Sequence, residues 1–240
     1  MTRRLILSIL FILCLSFQAS AWVPTHVVSG GGGECRYNDH FTGANDSQPS
    51  AVLWDETDVD DDMNIQSNSL NYSKTGTAAD GAQINSTWTF TANSDWEVIV
   101  DYAITTLDAP NAGSTNSIKI MAFNSGATIY SIIGRMKDGS DADDWVVAGT
   151  ASGYVDENDD VGVASGRLRL VMSSGTLTGY YWDDGAVQWE WNGSTNGYTF
   201  SEDFTDEAIY IQLRFDKAVS TASTTMDVNL DNFTVVSGCP

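Results

Sequence analysis

Basic residues are scarce in this chain of 240: 11 Lys and Arg stand against 32 Asp and Glu, a net charge of −21. A surface so acidic repels a phosphate backbone, which excludes nucleic acid as the natural partner. It is equally unsuited to an anionic membrane. Histidine is nearly missing. The two present, His26 and His40, cannot readily supply a Ser-His-Asp or zinc-protease constellation. No segment carries a helical period of apolar residues, so helices are not expected. No repeat of fixed period runs through the chain, which argues against a propeller or solenoid. Beyond the N-terminal stretch no apolar run approaches the roughly 20 residues that span a bilayer, so membrane insertion is not expected.

The N-terminus reads as an address. Arg3 and Arg4 precede a nearly unbroken apolar run over residues 5–17, and Ala19-Ser20-Ala21 supplies small residues for cleavage. Residues 1–21 are therefore expected to be a Sec-type signal peptide, cut after Ala21, and the product to be secreted. Cys14 follows Ile12-Leu13, too bulky for a lipoprotein signal. The cut removes two basic residues and no acid, leaving 9 basic against 32 acidic and a net charge of −23. Residues 22–34, with four glycines from Gly30 to Gly33, read as a flexible leader, and the domain is expected over 35–240.

The mature chain keeps two cysteines, Cys35 and Cys239, near its two ends. In an oxidising compartment such a pair is expected to form a disulfide, the alternative being two free thiols. The bond closes a loop of about 200 residues, worth at most roughly 5 kcal/mol by loop entropy. It also requires the chain ends to meet within about 7 Å.

Strand signals fill the interval. Trp96, Val98, Val100, Tyr102 and Ile104 alternate with Glu97, Asp101 and Thr105, a period of two. Further strands are read over 51–54, 64–72, 84–91, 118–123, 128–136, 167–172, 177–182, 187–191, 208–215 and 226–236. Asn124-Ser125-Gly126, Ser174-Gly175 and Asp184-Gly185 serve as turns. About a dozen short strands with frequent turns indicate an all-β sandwich or barrel, and one sandwich is the reading adopted.

Two stretches carry a family likeness. Asp39-His40-Phe41, then Trp54, then Asn68-Ser69-Leu70-Asn71-Tyr72 is similar to the opening of bacterial domains in the concanavalin A-like lectin/glucanase superfamily, which includes laminin-G-like jelly rolls. Gly166-Arg167-Leu168-Arg169-Leu170, Ser174-Gly175, the run from Tyr180 to Gly185, and Trp189 resemble a hairpin of the same domains. Leu230-Asp231-Asn232-Phe233-Thr234-Val235 resembles their closing strand. The resemblance implies a jelly roll of two antiparallel sheets with first and last strands adjacent, which is what a Cys35–Cys239 bond independently requires.

The glucanases of that superfamily carry E-x-D-x-x-E on a strand. The nearest string here, from Glu56 to Asp61, ends in Asp and lies near the chain start, so it reads as a loop. Glu190 has no second carboxylate at strand spacing. An enzyme is thus the less favoured reading, and no catalytic residue is assigned. Asp58, Asp60, Asp62 and Asn64 alternate, as do Asp156, Asn158 and Asp160, but neither run has the Gly or Glu of an EF-hand, and both read as solvated loops. The resemblance implies instead one structural Ca²⁺ between the first and last strands, with Asp39 and Asp231 at the matching positions.

Tyr180 and Trp182 share a strand face, as do Trp189 and Trp191, and Arg135 and Arg169 sit mid-strand, where a charge must face solvent or a groove. Trp88, Trp96 and Trp189 are expected in the core. The carbohydrate contacts expected on the concave sheet are Arg135, Arg169, Tyr180 and Trp182. The functional expectation is a secreted non-catalytic carbohydrate-binding or adhesion module whose partner is a polysaccharide or cell-surface glycan. Two alternatives stand beside it. One is a self-assembling extracellular protein of a surface layer, filament or virion with calcium-stabilised subunits; the other is a polysaccharide hydrolase or lyase.

Overall fold

A computed structural model describes residues 35–240 except 59, 140–142, 158–163 and 184–186. The expected signal peptide and leader over 1–34, Asn158 and Asp160, and the expected Asp184-Gly185 turn lie outside the described residues. Within them there is no helix, and fifteen strands follow one another. They are β1 (Trp54–Asp58), β2 (Met63–Gln66), β3 (Ser69–Gly76), β4 (Asp80–Ser86), β5 (Trp96–Leu107), β6 (Thr115–Asn124), β7 (Tyr130–Asp138) and β8 (Asp143–Gly149). The rest are β9 (Gly153–Glu157), β10 (Ser165–Ser173), β11 (Thr176–Asp183), β12 (Gln188–Glu190), β13 (Tyr198–Thr199), β14 (Ile209–Lys217) and β15 (Thr224–Ser237).

Boundaries differ from expectation in several places, and the strand expected over 84–91 is β4, which ends at Ser86. Residues 51–53 form a turn and the strand begins at Trp54. The string from Glu56, read as a loop, starts inside β1, where Glu56 and Asp58 share a face. The single strand expected over 64–72 is a hairpin, because Ser67 and Asn68 both adopt positive φ (54° and 63°), the geometry of a tight two-residue turn. β8 and β9 were not foreseen.

All pairings are antiparallel and form two sheets, β1-β4-β14-β6-β7-β8-β9 and β12-β11-β10-β5-β15-β3-β2, with β13 beside β11. Strand alternation sends every second side chain into the space between them. Trp96, Val98, Val100 and Tyr102 of β5, Leu168, Leu170 and Met172 of β10, and Ile211, Leu213 and Phe215 of β14 meet there, all buried. Ring stacks join the layers: Tyr72 on β3 lies parallel to Phe215 on β14 at 5.3 Å, and Tyr181 on β11 to Trp145 on β8 at 4.2 Å. Trp88 and Trp96 are core residues as expected.

The chain ends meet beside β15. Asp39 bridges to Phe233, and Cys35 and Cys239 are disulfide-bonded with Cα atoms 5.8 Å apart. The fold is the expected jelly-roll sandwich. The seven-stranded sheet curls over its own outer face: Met121, Met136 and Val146 point away from the other sheet yet are buried, and Tyr154 of β9 reaches across to the sulfur of Met136 at 3.2 Å.

Candidate functional site

Three of the four expected carbohydrate contacts converge, with two neighbours that were not expected. Arg169 stands opposite Tyr180, and Trp182 opposite Trp189, in the ladders joining β10, β11 and β12. The Arg169 guanidinium lies 4.8 Å from the Tyr180 ring centre, and that of Arg167 4.1 Å from Trp182 and 5.3 Å from Trp189. Trp182 and Trp189 meet edge to face at 5.3 Å. All five side chains are half-buried on the outer face of the eight-stranded sheet. Trp189 is therefore not the core residue it was expected to be. Arg167 was legible, since it has the parity of Arg169. Trp189 required knowing that the hairpin sets it against Trp182.

Arg135 is elsewhere. It lies on β7 in the other sheet with 0 % of its surface exposed, its guanidinium 4.8 Å from the Trp145 ring inside the sandwich. It offers nothing to a ligand on an outer face. The β7 sequence explains the misreading: Ile132 and Ile133 are adjacent apolar residues, so alternation does not reveal which parity points inward.

The expected metal pair is also close in space but differently employed. Asp39 accepts hydrogen bonds at both oxygens, from the Phe41 amide at 2.7 Å and from Trp54 Nε1 at 2.8 Å. The opening Asp-x-Phe and Trp are thus a structural clamp, with Trp54 edge-on to Phe233 of the last strand at 5.0 Å. Asp231 accepts the Asn232 amide at 2.7 Å, and burial, with the charge of Asp39, raises its pKa against the effect of that amide and of His40. Ca²⁺ takes six to eight oxygens. Asp39 and Asp231 would supply two of them, and each Asp39 oxygen already accepts one hydrogen bond from the protein.

The alternating aspartates have a different answer. Asp60 and Asp62 converge with Asp80, and the cation among them is Lys74, whose Nζ pairs with Asp60 at 2.9 Å, with Asp80 at 3.0 Å and with Asp62.

The curled outer face of the seven-stranded sheet was not singled out by sequence. Cross-strand register places Tyr210 (β14), Phe123 (β6) and Tyr130 (β7) in one row. Tyr210 and Phe123 are parallel at 5.2 Å, and Phe123 and Tyr130 tilted at 5.7 Å, all half-buried. From Tyr210 a groove of about 630 Å³ continues over β1 and β4, lined by Gln48, Asp55, Glu56, Asn85 and Thr87 among others. Beside it Gln212, 4 % exposed, donates to Asn85 Oδ1 at 2.7 Å while its own Oε1 accepts no hydrogen bond. The rows beyond are Gln212, Met121, Ile132 and Ala148, then Arg214, Lys119, Gly134 and Val146. Over β14, β6, β7 and β8 neither row contains a carboxylate, and across β4 the first reaches Asp55 of β1. Asp216 in the following row is held by Lys119 at 2.7 Å and Arg214 at 2.8 Å.

No protein-family model and no curated protein matches the chain. Solved structures do. A glycosyl hydrolase family protein from Mycobacterium fortuitum superposes with a TM-score of 0.59 at 16 % identity, over 85 % of this chain and 100 % of that one. The β-glucanase of Bacillus licheniformis gives 0.54 at 12 %, over 87 % and 100 %. An immunostimulatory antigen and pseudo β-1,3-glucanase of Mycobacterium tuberculosis gives 0.50 at 11 %, over 83 % and 99 %. At these identities the likeness establishes the fold, the concanavalin A-like jelly roll of β-glucanases.

Proposed function

We propose that this jelly roll is a non-catalytic polysaccharide-binding protein whose glycan lies along the curled face of the seven-stranded sheet. The observation that carries the reading is the row Tyr210, Phe123 and Tyr130 running into a polar-edged groove. Sugar rings present apolar C–H faces that stack on aromatics, while a few placed polar groups orient the hydroxyls. Asn85, Asp55 and Gln48 are such groups.

Glycoside hydrolysis requires two carboxyl groups flanking the scissile bond, about 5–5.5 Å apart for retention and about 6.5–9.5 Å for inversion. The two central rows of this face hold Lys119, Gly134, Met121 and Ile132 instead. The fold accommodates either outcome, since one structural neighbour is a β-glucanase and another a pseudo-glucanase. A hydrolase reading would rest on Glu56, at the groove, whose pKa is raised by burial and then by Asp58 and Asp61.

Retardation of the protein in native gels containing β-glucan, weakened in Tyr210→Ala and in Phe123→Ala with unchanged melting temperature, is the expected result. Absence of retention on every neutral polysaccharide overturns the binding role. Release of reducing sugar by the wild type, lost in Glu56→Gln, overturns the non-catalytic one. We place the protein outside the cell, so N-terminal sequencing of the exported product should begin at Trp22.

A further inference from the structure

We propose that the outer face of β10, β11 and β12, on the opposite sheet from the groove, is a second carbohydrate-binding surface whose ligand is a neutral polysaccharide.

The first support is where the positive charges of this chain reside. Lys74 sits among three aspartates, Lys119 and Arg214 hold Asp216, and Arg135 and Lys217 are buried. Arg169 pairs with Glu97, Nε to Oε1 at 2.8 Å. Arg167 differs. Among the described residues it has no ion pair, although Asp101 stands opposite it in the ladder; that carboxylate accepts from Asn232 Nδ2 at 3.0 Å instead. In a chain carrying 32 acids, an arginine held over two indoles, with no direct ion pair among the described residues, keeps N–H donors available.

The second support is the company it keeps. Tyr180, Trp182 and Trp189 lie on the same face, half-buried and fixed by the arginines above them, so both an apolar stacking surface and oriented donors exist before any ligand arrives. Such preorganisation lowers the ordering cost of binding. Glu97 and Asp101 supply acceptors beside the donors. The ligand class follows from the charge. Two arginines are balanced by two carboxylates, and the chain as a whole, at −21, repels a polyanion at any range where screening is incomplete. Hydroxyls that both donate and accept match this surface, and uronate or sulfate groups do not. The inference stands independently of the groove, because the two faces belong to different sheets.

The test uses the full chain and defined probes: hexasaccharides of β-1,3- and β-1,4-linked glucose, with a galacturonate hexamer as the charged comparator. Titrations are run in wild type, in a Tyr210→Ala/Phe123→Ala variant that silences the groove, and in that variant carrying Arg167→Gln or Trp182→Ala. The expected result is that the groove-silenced protein still binds a neutral hexasaccharide with a change in tryptophan fluorescence. Arg167→Gln should weaken this binding about tenfold and Trp182→Ala abolish it, while galacturonate does not bind. Binding confined to the wild type, or indifferent to both substitutions, or stronger for galacturonate, overturns the proposal. Arg167→Gln removes a half-exposed group, so it remains informative if Trp182→Ala proves unstable. Failure of the groove reading appears separately, as wild-type binding that Tyr210→Ala/Phe123→Ala leaves unchanged.

Discussion

Glu202 is 5 % exposed and ionised, and its partners explain how. Oε1 accepts from the amides of Ala151 and Ser152, both at 2.7 Å, while Oε2 accepts from the hydroxyls of Ser152 at 2.7 Å and Ser131 at 3.2 Å. Burial alone raises the pKa, but the Ser152 hydroxyl and the two amides outweigh it and hold the carboxyl below its ordinary value of 4.5. A depressed carboxyl contributes stability that is present above its unfolded pKa and disappears as pH falls through the folded one. Acid unfolding should therefore show a component below about pH 4.5 that Glu202→Gln removes. The substitution itself should cost about 2 kcal/mol in urea unfolding at pH 7. Lys74 is the converse case, a cation raised in pKa by hydrogen bonds to Asp62, Asp60 and Asp80. Lys74→Ala leaves three carboxylates facing one another. It should lower stability by about 1–2 kcal/mol, and added Ca²⁺ should restore part of the loss in thermal melts. Neither role was visible in sequence, where Glu202 stands alone and the aspartates look like a solvated run.

At the scale of the element, alternation alone located most strands and several turns. Residues 96–105 and 167–172 sort cleanly into inward and outward sets, and β5 and β10 bury the sets expected of them. Alternation is uninformative where parity is ambiguous or the turn is unmarked. β7 has no clean alternation, and the Ser67-Asn68 turn lacks glycine although both residues adopt positive φ. β7 also has a steric demand that no pattern reveals. A Cβ at Gly134 would stand 2.3 Å from the Ile118 carbonyl oxygen and 3.2 Å from Lys119 Cα, in the middle of the curled face. Gly134→Ala should destabilise the protein by about 3 kcal/mol, measured by chemical unfolding. It should also separate β6 from β7, weakening glycan binding at the Phe123 row.

For the whole molecule, the disulfide joins ends 204 residues apart in sequence and supports the Asp39 and Phe233 bridge beside it. A Cys35→Ser/Cys239→Ser variant should lose up to about 5 kcal/mol of unfolding free energy, with the strand content by circular dichroism unchanged. The pairing of the chain ends was legible because Cys35 and Cys239 are the two cysteines beyond the N-terminal apolar run. What sequence determined was local: which segments extend, which side chains of a strand share a face, and that the ends meet. Which sheet each strand joins was decided only in three dimensions. Arg135 and Arg169 look alike along the chain, yet one is sealed between the layers and the other lies on an outer surface. The row of Tyr210, Phe123 and Tyr130 is assembled from strands up to about 90 residues apart, and groove and arginine face fall on opposite sheets. The physical reason is that the two-residue rhythm is a property of neighbouring peptide units. Sheet membership is set by long-range hydrogen bonding and burial, which leave no periodic trace in any one segment.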